Sequence, residues 1–123
     1  MDPLALERLI DRYCEAWGVA DAAQRLSLLD EVWTEGGVYT DPRSHLTGAP
    51  ALSEHIGRVL TRRPGATIRR TSAVDAHHGW ARFHWQVLLS DGTLLPEGID
   101  LAELTDSGKI RRIVGFFGPL EPR

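Results

Sequence analysis

A single cysteine, Cys14, occurs in the 123 residues, which excludes an intrachain disulfide and any zinc site built from several thiolates. The apolar residues never run for the roughly 18 positions that a membrane-crossing helix needs. Positive charge is not in excess: 14 Lys and Arg stand against 17 Asp and Glu, a net charge of -3, so neither a nucleic-acid nor an anionic-membrane footprint is expected. The glycines fall into no phosphate-cradling pattern, no Ser occupies a nucleophile elbow, and neither HxH nor HExxH occurs. His77 and His78 are neighbours in an extended segment and point opposite ways, so they do not share an ion, and no metal site is expected. No repeat, linker or low-complexity stretch divides the chain, and its length fits one domain over residues 1–123. The opening Met1-Asp2-Pro3-Leu4 and the mixed charges that follow do not read as a signal peptide, so the expected compartment is the cytoplasm.

Apolar periodicity is abundant. Hydrophobic residues make up 42% of the chain, too many and too regularly spaced for a disordered segment. Asp2 and Pro3 mark a helix start, and Leu6, Leu9, Ile10, Tyr13 and Trp17 then recur at spacings of three and four until Gly18. A second short helix is expected from about Asp21, with Leu26, Leu29 and Trp33 on its inner face. Gly36-Gly37 breaks that pattern, and Val38 to Asp41 reads as a short strand stopped by Pro42. A third helix starts near Gly48-Ala49-Pro50, places Leu52, His55, Ile56 and Val59 on one side, and closes at Pro64-Gly65.

From Ala66 onward the pattern is that of strands. Thr67 to His78, Trp80 to Leu89, Leu94 to Leu104 and Lys109 to Phe117 are separated by turn signals at His78-Gly79, Asp91-Gly92 and Asp106-Ser107-Gly108. Helices followed by an antiparallel meander imply an α+β domain: a strongly curved, mostly antiparallel sheet wrapped by three N-terminal helices into a cone. The mouth of such a cone is a natural small-molecule site.

Strand parity selects candidate residues. Ile113, Gly115 and Phe117 share one face of the last strand, and Val114 and Phe116 share the other. Both faces are apolar, so one lines the cone and the other calls for cover, which a sheet-to-sheet homodimer would supply. Gly98, Asp100 and Ala102 alternate with Ile99 and Leu101. Asp100 therefore reads either as a solvent-facing strand residue or as a carboxyl in an apolar cavity, where desolvation raises its pKa. Asp41 is either the opener of an Asp-Pro turn or an inward general base on the face of Tyr39. Tyr13 lies on the buried helical stripe, where its hydroxyl either meets a structural partner or stabilises an oxyanion. His55 fits a hydrogen-bonded pocket or core histidine. Trp17, Trp33 and Trp85 either narrow the cavity or fill the core, and Arg82 with His84 faces away from Phe83 with Trp85.

Three segments, Asp11-Arg12-Tyr13, Tyr39-Thr40-Asp41-Pro42 with Gly48 following, and Gly98-Ile99-Asp100 leading to Gly108-Lys109-Ile110 and Phe117-Gly118, stand in an order that resembles the nuclear transport factor 2-like superfamily. The likeness is to its SnoaL-like and ketosteroid-isomerase-like branch and extends over nearly the whole chain. It implies a cystatin-like α+β barrel. In ketosteroid isomerases the matching positions carry a Tyr and a protonated Asp as oxyanion donors and a second Asp as base. By that resemblance Asp41 abstracts a proton α to a carbonyl, Tyr13 and Asp100 bond the dienolate oxygen, and no cofactor is required. A small hydrophobic or carbonyl-containing ligand would then lie among Trp17, Trp33, Tyr39, His55, Trp85, Ile113 and Phe117. Alternatives are a non-catalytic ligand-binding domain, an assembly module paired through its sheet, and an enzyme like the polyketide cyclases or epoxide hydrolases. The last two enzyme types look to have an acid on the final strand or an Arg two residues before an Asp; here Ile113-Val114-Gly115-Phe116-Phe117 and Gly98 occupy those places.

Overall fold

In the computed structural model, which describes residues 1–123, three helices and seven strands follow in the order α1 (Pro3–Ala16), α2 (Ala22–Val32), β1 (Trp33–Asp41), β2 (Ser44–Thr47), α3 (Ala49–Arg62), β3 (Thr67–Arg70), β4 (Asp75–His77), β5 (Trp80–Leu88), β6 (Gly98–Leu104) and β7 (Ile110–Phe117). The helix starts have local causes. The Asp2 side chain accepts from the Ala5 N–H at 2.9 Å with Pro3 following, and Asp21 accepts from Ala23 and Gln24. Leu6, Leu9, Ile10 and Tyr13 of α1 are buried as their spacing requires, although the helix ends at Ala16, before Gly18. None of the helices is long and apolar enough to cross a membrane.

The strands form one curved, unclosed sheet ordered β2-β1-β7-β6-β5-β3, with β4 also on β5; β1 and β7 are parallel and all other pairs antiparallel. Tyr39, Ala81, Phe83, Ala102 and Ile113 on one sheet face join Ile10, Leu29, Leu52 and Ile56 from the helices in a single buried cluster. The helices thus cover one face of the sheet, and Arg82 and His84 stay exposed on the other. This is the α+β architecture expected from helices preceding a meander.

Four segments depart from expectation. Trp33 opens β1 instead of closing α2, and Gly36-Gly37 lies inside the strand, where the register against β7 shifts between Trp33 and Val38. Gly36 has φ of 73°, and a Cβ on Gly37 would lie 2.5 Å from the Trp33 indole nitrogen, so the pair forms a bulge that admits the indole. Pro42 ends β1 as expected, but Pro42-Arg43 is also the tip of a hairpin whose second strand, β2, was not expected. The segment Thr67 to His78 divides into β3 and β4, because the Ser72 hydroxyl accepts the His84 N–H at 2.8 Å in place of a ladder carbonyl. The strand that carries Asp100, β6, begins at Gly98; Leu94 keeps only an isolated bridge to Leu88, and Pro96 has no N–H to offer a ladder.

One buried cation locks the helices together. Arg25 of α2, only 4% exposed, donates Nε to the carbonyl and hydroxyl of Ser53 in α3 at 2.9 and 3.0 Å. Its Nη1 bonds the carbonyls of Val19 and Ala20 between α1 and α2 at 2.9 and 3.2 Å. Gly57 leaves the guanidinium room, since a Cβ there would stand 2.8 Å from Nη2. Replacing Arg25 by Met removes the donor to the buried Ser53 carbonyl and to the less buried carbonyls of Val19 and Ala20. Urea denaturation of Arg25→Met should show a loss of roughly 2–4 kcal/mol, whereas Ser53→Ala, which removes only the shared hydroxyl acceptor, should cost under about 1 kcal/mol. Equal midpoints for Arg25→Met and the wild type would contradict this account.

Candidate functional site

Between the inner sheet face and α1 and α3 lies a cavity of about 510 Å³. Tyr13 and Trp17 enter it from the end of α1, His55 from α3, Tyr39 and Asp41 from β1, Trp85 from β5, Asp100 from β6 and Phe117 from the end of β7.

Its floor is made by three adjacent strands. Asp100 pairs in register with Gly115, and Asp41 lies on the opposite side of the same glycine. A Cβ on Gly115 would come within 2.8 Å of Asp100 Oδ1 and 3.8 Å of Asp41 Cβ. The two acids are therefore separated by one strand and face the same space, about 10 Å apart at their backbones. Gly98, opposite Trp85, has a similar role: a Cβ there would lie 2.2 Å from the indole, so the ring lies flat over the glycine. In that position Trp85 Nε1 donates to Asp100 Oδ1 at 2.8 Å. Phe117 meets the same indole edge-on at 5.8 Å.

Asp100 is 6% exposed, and burial pushes its pKa up to about 7; the Trp85 hydrogen bond acts against that rise and the charge of Asp41 adds to it. Tyr13 is fully enclosed and stacks on Trp33 with centroids 5.8 Å apart. Its hydroxyl makes no well-formed hydrogen bond; burial, followed by the neighbouring charge of Asp100, raises its pKa well above the ordinary value, and the nearby Trp17 indole N–H opposes that rise. Tyr39 donates its hydroxyl to Asp41 Oδ2 at 2.7 Å, while Asp41 Oδ1 accepts the Arg43 N–H at 2.7 Å. Thus Asp41 both opens the turn, through Oδ1, and faces the cavity beside Tyr39, through Oδ2. Burial and this donated bond also raise the pKa of Tyr39. Trp17, Tyr39 and His55 form an aromatic wall with centroids 5.5–6.0 Å apart. Burial lowers the His55 pKa, which Arg58 and Arg62 depress further against the opposing charge of Asp41, so its imidazole is neutral at neutral pH.

Trp33 and Ile113, expected in the ligand-binding set, do not line the cavity. Trp33 is turned into the core behind Tyr13 and against Gly37, and Ile113 is fully enclosed beneath the helices. Conversely, Arg43, Arg58, Arg62 and Arg63 line the cavity and were not singled out from the sequence. For two of them a signal exists: His55, Arg58, Val59 and Arg62 share a helical spacing of three and four. Cys14 also borders the cavity, but burial raises its thiol pKa far above neutrality, so it is not a ready nucleophile. No three His, Cys, Asp or Glu side chains gather in a geometry that would hold a metal ion.

No family model matches the chain, and no curated protein matches it in sequence. Solved structures do. A candidate isomerase of the SnoaL-like family from Agrobacterium tumefaciens is 26% identical, with a TM-score of 0.87 over 94% of this chain and 99% of that one. A protein of cystatin-like fold and unknown function from Methylobium petroleophilum is 18% identical, with a TM-score of 0.77 over 100% and 82%. A candidate ketosteroid isomerase from Kribbella flavida is 17% identical, with a TM-score of 0.70 over 99% and 84%. These likenesses show that the chain shares its fold with SnoaL-like, cystatin-like and ketosteroid-isomerase-like structures, a fold with a cavity between its helices and the curved sheet.

The raised pKa of Asp100 has a direct consequence for stability. The folded carboxyl holds its proton up to about 7, whereas its ordinary value is 3.8. The folded state therefore binds the proton more tightly, and the resulting stability is fully present below the unfolded value and lost as pH rises through that window. Asp100→Asn, which keeps an oxygen for the Trp85 N–H, should gain on the wild type with rising pH, by up to roughly 4 kcal/mol once pH exceeds about 8. Denaturation midpoints of the two proteins that stay parallel from about pH 5 to about pH 8.5 would show an Asp100 carboxyl of ordinary acidity.

Proposed function

We propose that this one-domain protein is a cofactor-independent enzyme that moves a proton α to a carbonyl, in the manner of a ketosteroid isomerase. The observation that carries the reading is the convergence on one cavity of two acids flanking Gly115 and a buried phenol with no partner. Asp41 acts as the base. Its carboxylate is oriented by the Tyr39 hydroxyl and the Arg43 N–H, and each oxygen keeps a lone pair for the incoming proton.

Tyr13 and Asp100 are the oxyanion donors. Trp85 occupies Asp100 Oδ1, which leaves the proton of the neutral acid to be presented on Oδ2. An unbonded Tyr13 hydroxyl in a dry setting costs about 1–3 kcal/mol, and a ligand oxygen that accepts from it removes that cost. When the α proton leaves, charge builds on the substrate oxygen, where two fixed donors stabilise it without solvent reorganisation. Asp41 then returns the proton to another carbon of the same conjugated system. The names of the Agrobacterium and Kribbella neighbours support the isomerase reading by likeness.

The proposal includes a cytoplasmic homodimer paired through the outer sheet face. There Ile99 stands opposite Phe116 and Leu101 opposite Val114, and Phe116 is 52% exposed.

Two measurements test the chemistry on cyclic β,γ-unsaturated ketones, read as solvent deuterium exchange and as conversion to the conjugated enone. Asp41→Asn should reduce turnover roughly a hundredfold or more while ligand-induced thermal stabilisation persists, and full turnover in this variant would refute the base assignment. In the wild type kcat/KM should fall as pH rises through about 7, where Asp100 loses its proton. That alkaline fall should vanish in Asp100→Asn, whose amide remains a donor. An alkaline limb unchanged by the substitution would remove Asp100 from the oxyanion hole.

A further inference from the structure

The mouth of the cavity carries a charge pattern that proton transfer alone does not require. Arg43 projects from the β1–β2 turn, Arg58 and Arg62 from the last turns of α3, and Arg63 from its C-cap. All four are exposed, and no side chain of the protein bonds their guanidinium groups, whereas Arg12, Arg70 and Arg82 each hold a carboxylate. The chain as a whole is negative, at -3. Four unneutralised cations around one opening are therefore a local concentration of charge opposite in sign to the molecule's balance. The only acids lining the cavity, Asp41 and Asp100, lie on its floor and bond to Tyr39, the Arg43 backbone and Trp85. Both Arg58 and Arg62 are near enough to depress the His55 pKa, so their charge reaches into the cavity.

We infer that the ligand of this cavity is an organic anion, a carbonyl compound whose far end bears a carboxylate held by Arg58 and Arg62 with Arg43 and Arg63 beside them. The inference rests on the proposed reading of the floor as a carbonyl site. Charge decides the orientation of such a ligand. An anionic group at the floor would face the Asp41 carboxylate, while at the mouth it meets guanidinium groups whose planar donors match a carboxylate two at a time. The C-terminal end of α3 repels anions through its backbone carbonyls, so attraction at the mouth falls to the side chains. Between the two charged ends, the aromatic wall of Trp17, Tyr39 and His55 accommodates an apolar middle.

A hydroxynaphthoic acid, with phenol and carboxylate on opposite rings, and its uncharged primary amide separate the two ends. In calorimetric titration at low ionic strength, the wild type should bind the acid about tenfold more tightly than the amide. The ratio should shrink toward unity in high salt and in the double variant Arg58→Gln/Arg62→Gln, whose exposed substitutions should leave thermal unfolding of the free protein unchanged. Equal affinity for acid and amide, a ratio that survives the double substitution, or no binding of either probe overturns the inference. Asp41→Asn should keep the preference for charge. Proton exchange without a charge preference would overturn the anionic ligand alone, and a charge preference without exchange would overturn the proposed chemistry alone.

Discussion

Asp100 faces the cavity because Gly115 leaves space for its carboxyl, and it tolerates burial because the Trp85 indole, seated over Gly98, donates a hydrogen bond to it. A carboxyl removed from water without any donor would be costly, and one with several donors would ionise readily. A single neutral N–H lies between these cases. It satisfies one oxygen while burial still holds the proton up to about 7. The position of Phe117, packed on the same indole, and the access of Asp100 to the cavity both follow from this arrangement of two glycines, one indole and one acid.

The rest of the cavity is graded in polarity around that point. Tyr13, enclosed and stacked on Trp33, sits at the dry end; Trp17, Tyr39 and His55 form the wall; four arginines surround the exit. Solvent screening is weakest where the acids and phenol lie and strongest at the mouth, so a small charge change at the floor has a larger effect than the same change at the rim. The scaffold that holds this gradient depends little on the site itself. Arg25, which does not line the cavity, ties α2, α3 and the α1–α2 connection through carbonyl oxygens.

Much of the architecture was legible in the order of residues. The stripe from Leu6 to Tyr13, the Asp2 cap, the helix start near Asp21 and the alternation of Gly98, Asp100 and Ala102 all depend on spacing within a few residues, and such local signals survive folding. The readings that failed were those in which a tertiary contact overrides a local signal. Gly36-Gly37 looked like a break, yet it is a bulge that receives the Trp33 indole, and Ser72 interrupts a strand by bonding a distant N–H. Trp33 and Ile113 had the right chemistry for a cavity wall but fall behind the layer that forms it. The arginines were passed over because a charged residue near a helix end ordinarily marks only solvent exposure.

The amino-acid order by itself determined the Asp2 helix cap, the burial of the stripe that carries Tyr13 and which residues of each strand share a face, because these depend on neighbours within a few residues; whether the faces of Asp41 and Asp100 look inward it left open. Only the tertiary structure decided that Asp41 and Asp100 flank the same glycine and that Trp85 bonds one of them. It also decided that the Tyr13 hydroxyl is unpaired and that four arginines meet at one opening. The first two arise from pairings between strands far apart in sequence, including the parallel contact of β1 with β7, and the others from helices packed over that sheet; no local period encodes which elements will become neighbours.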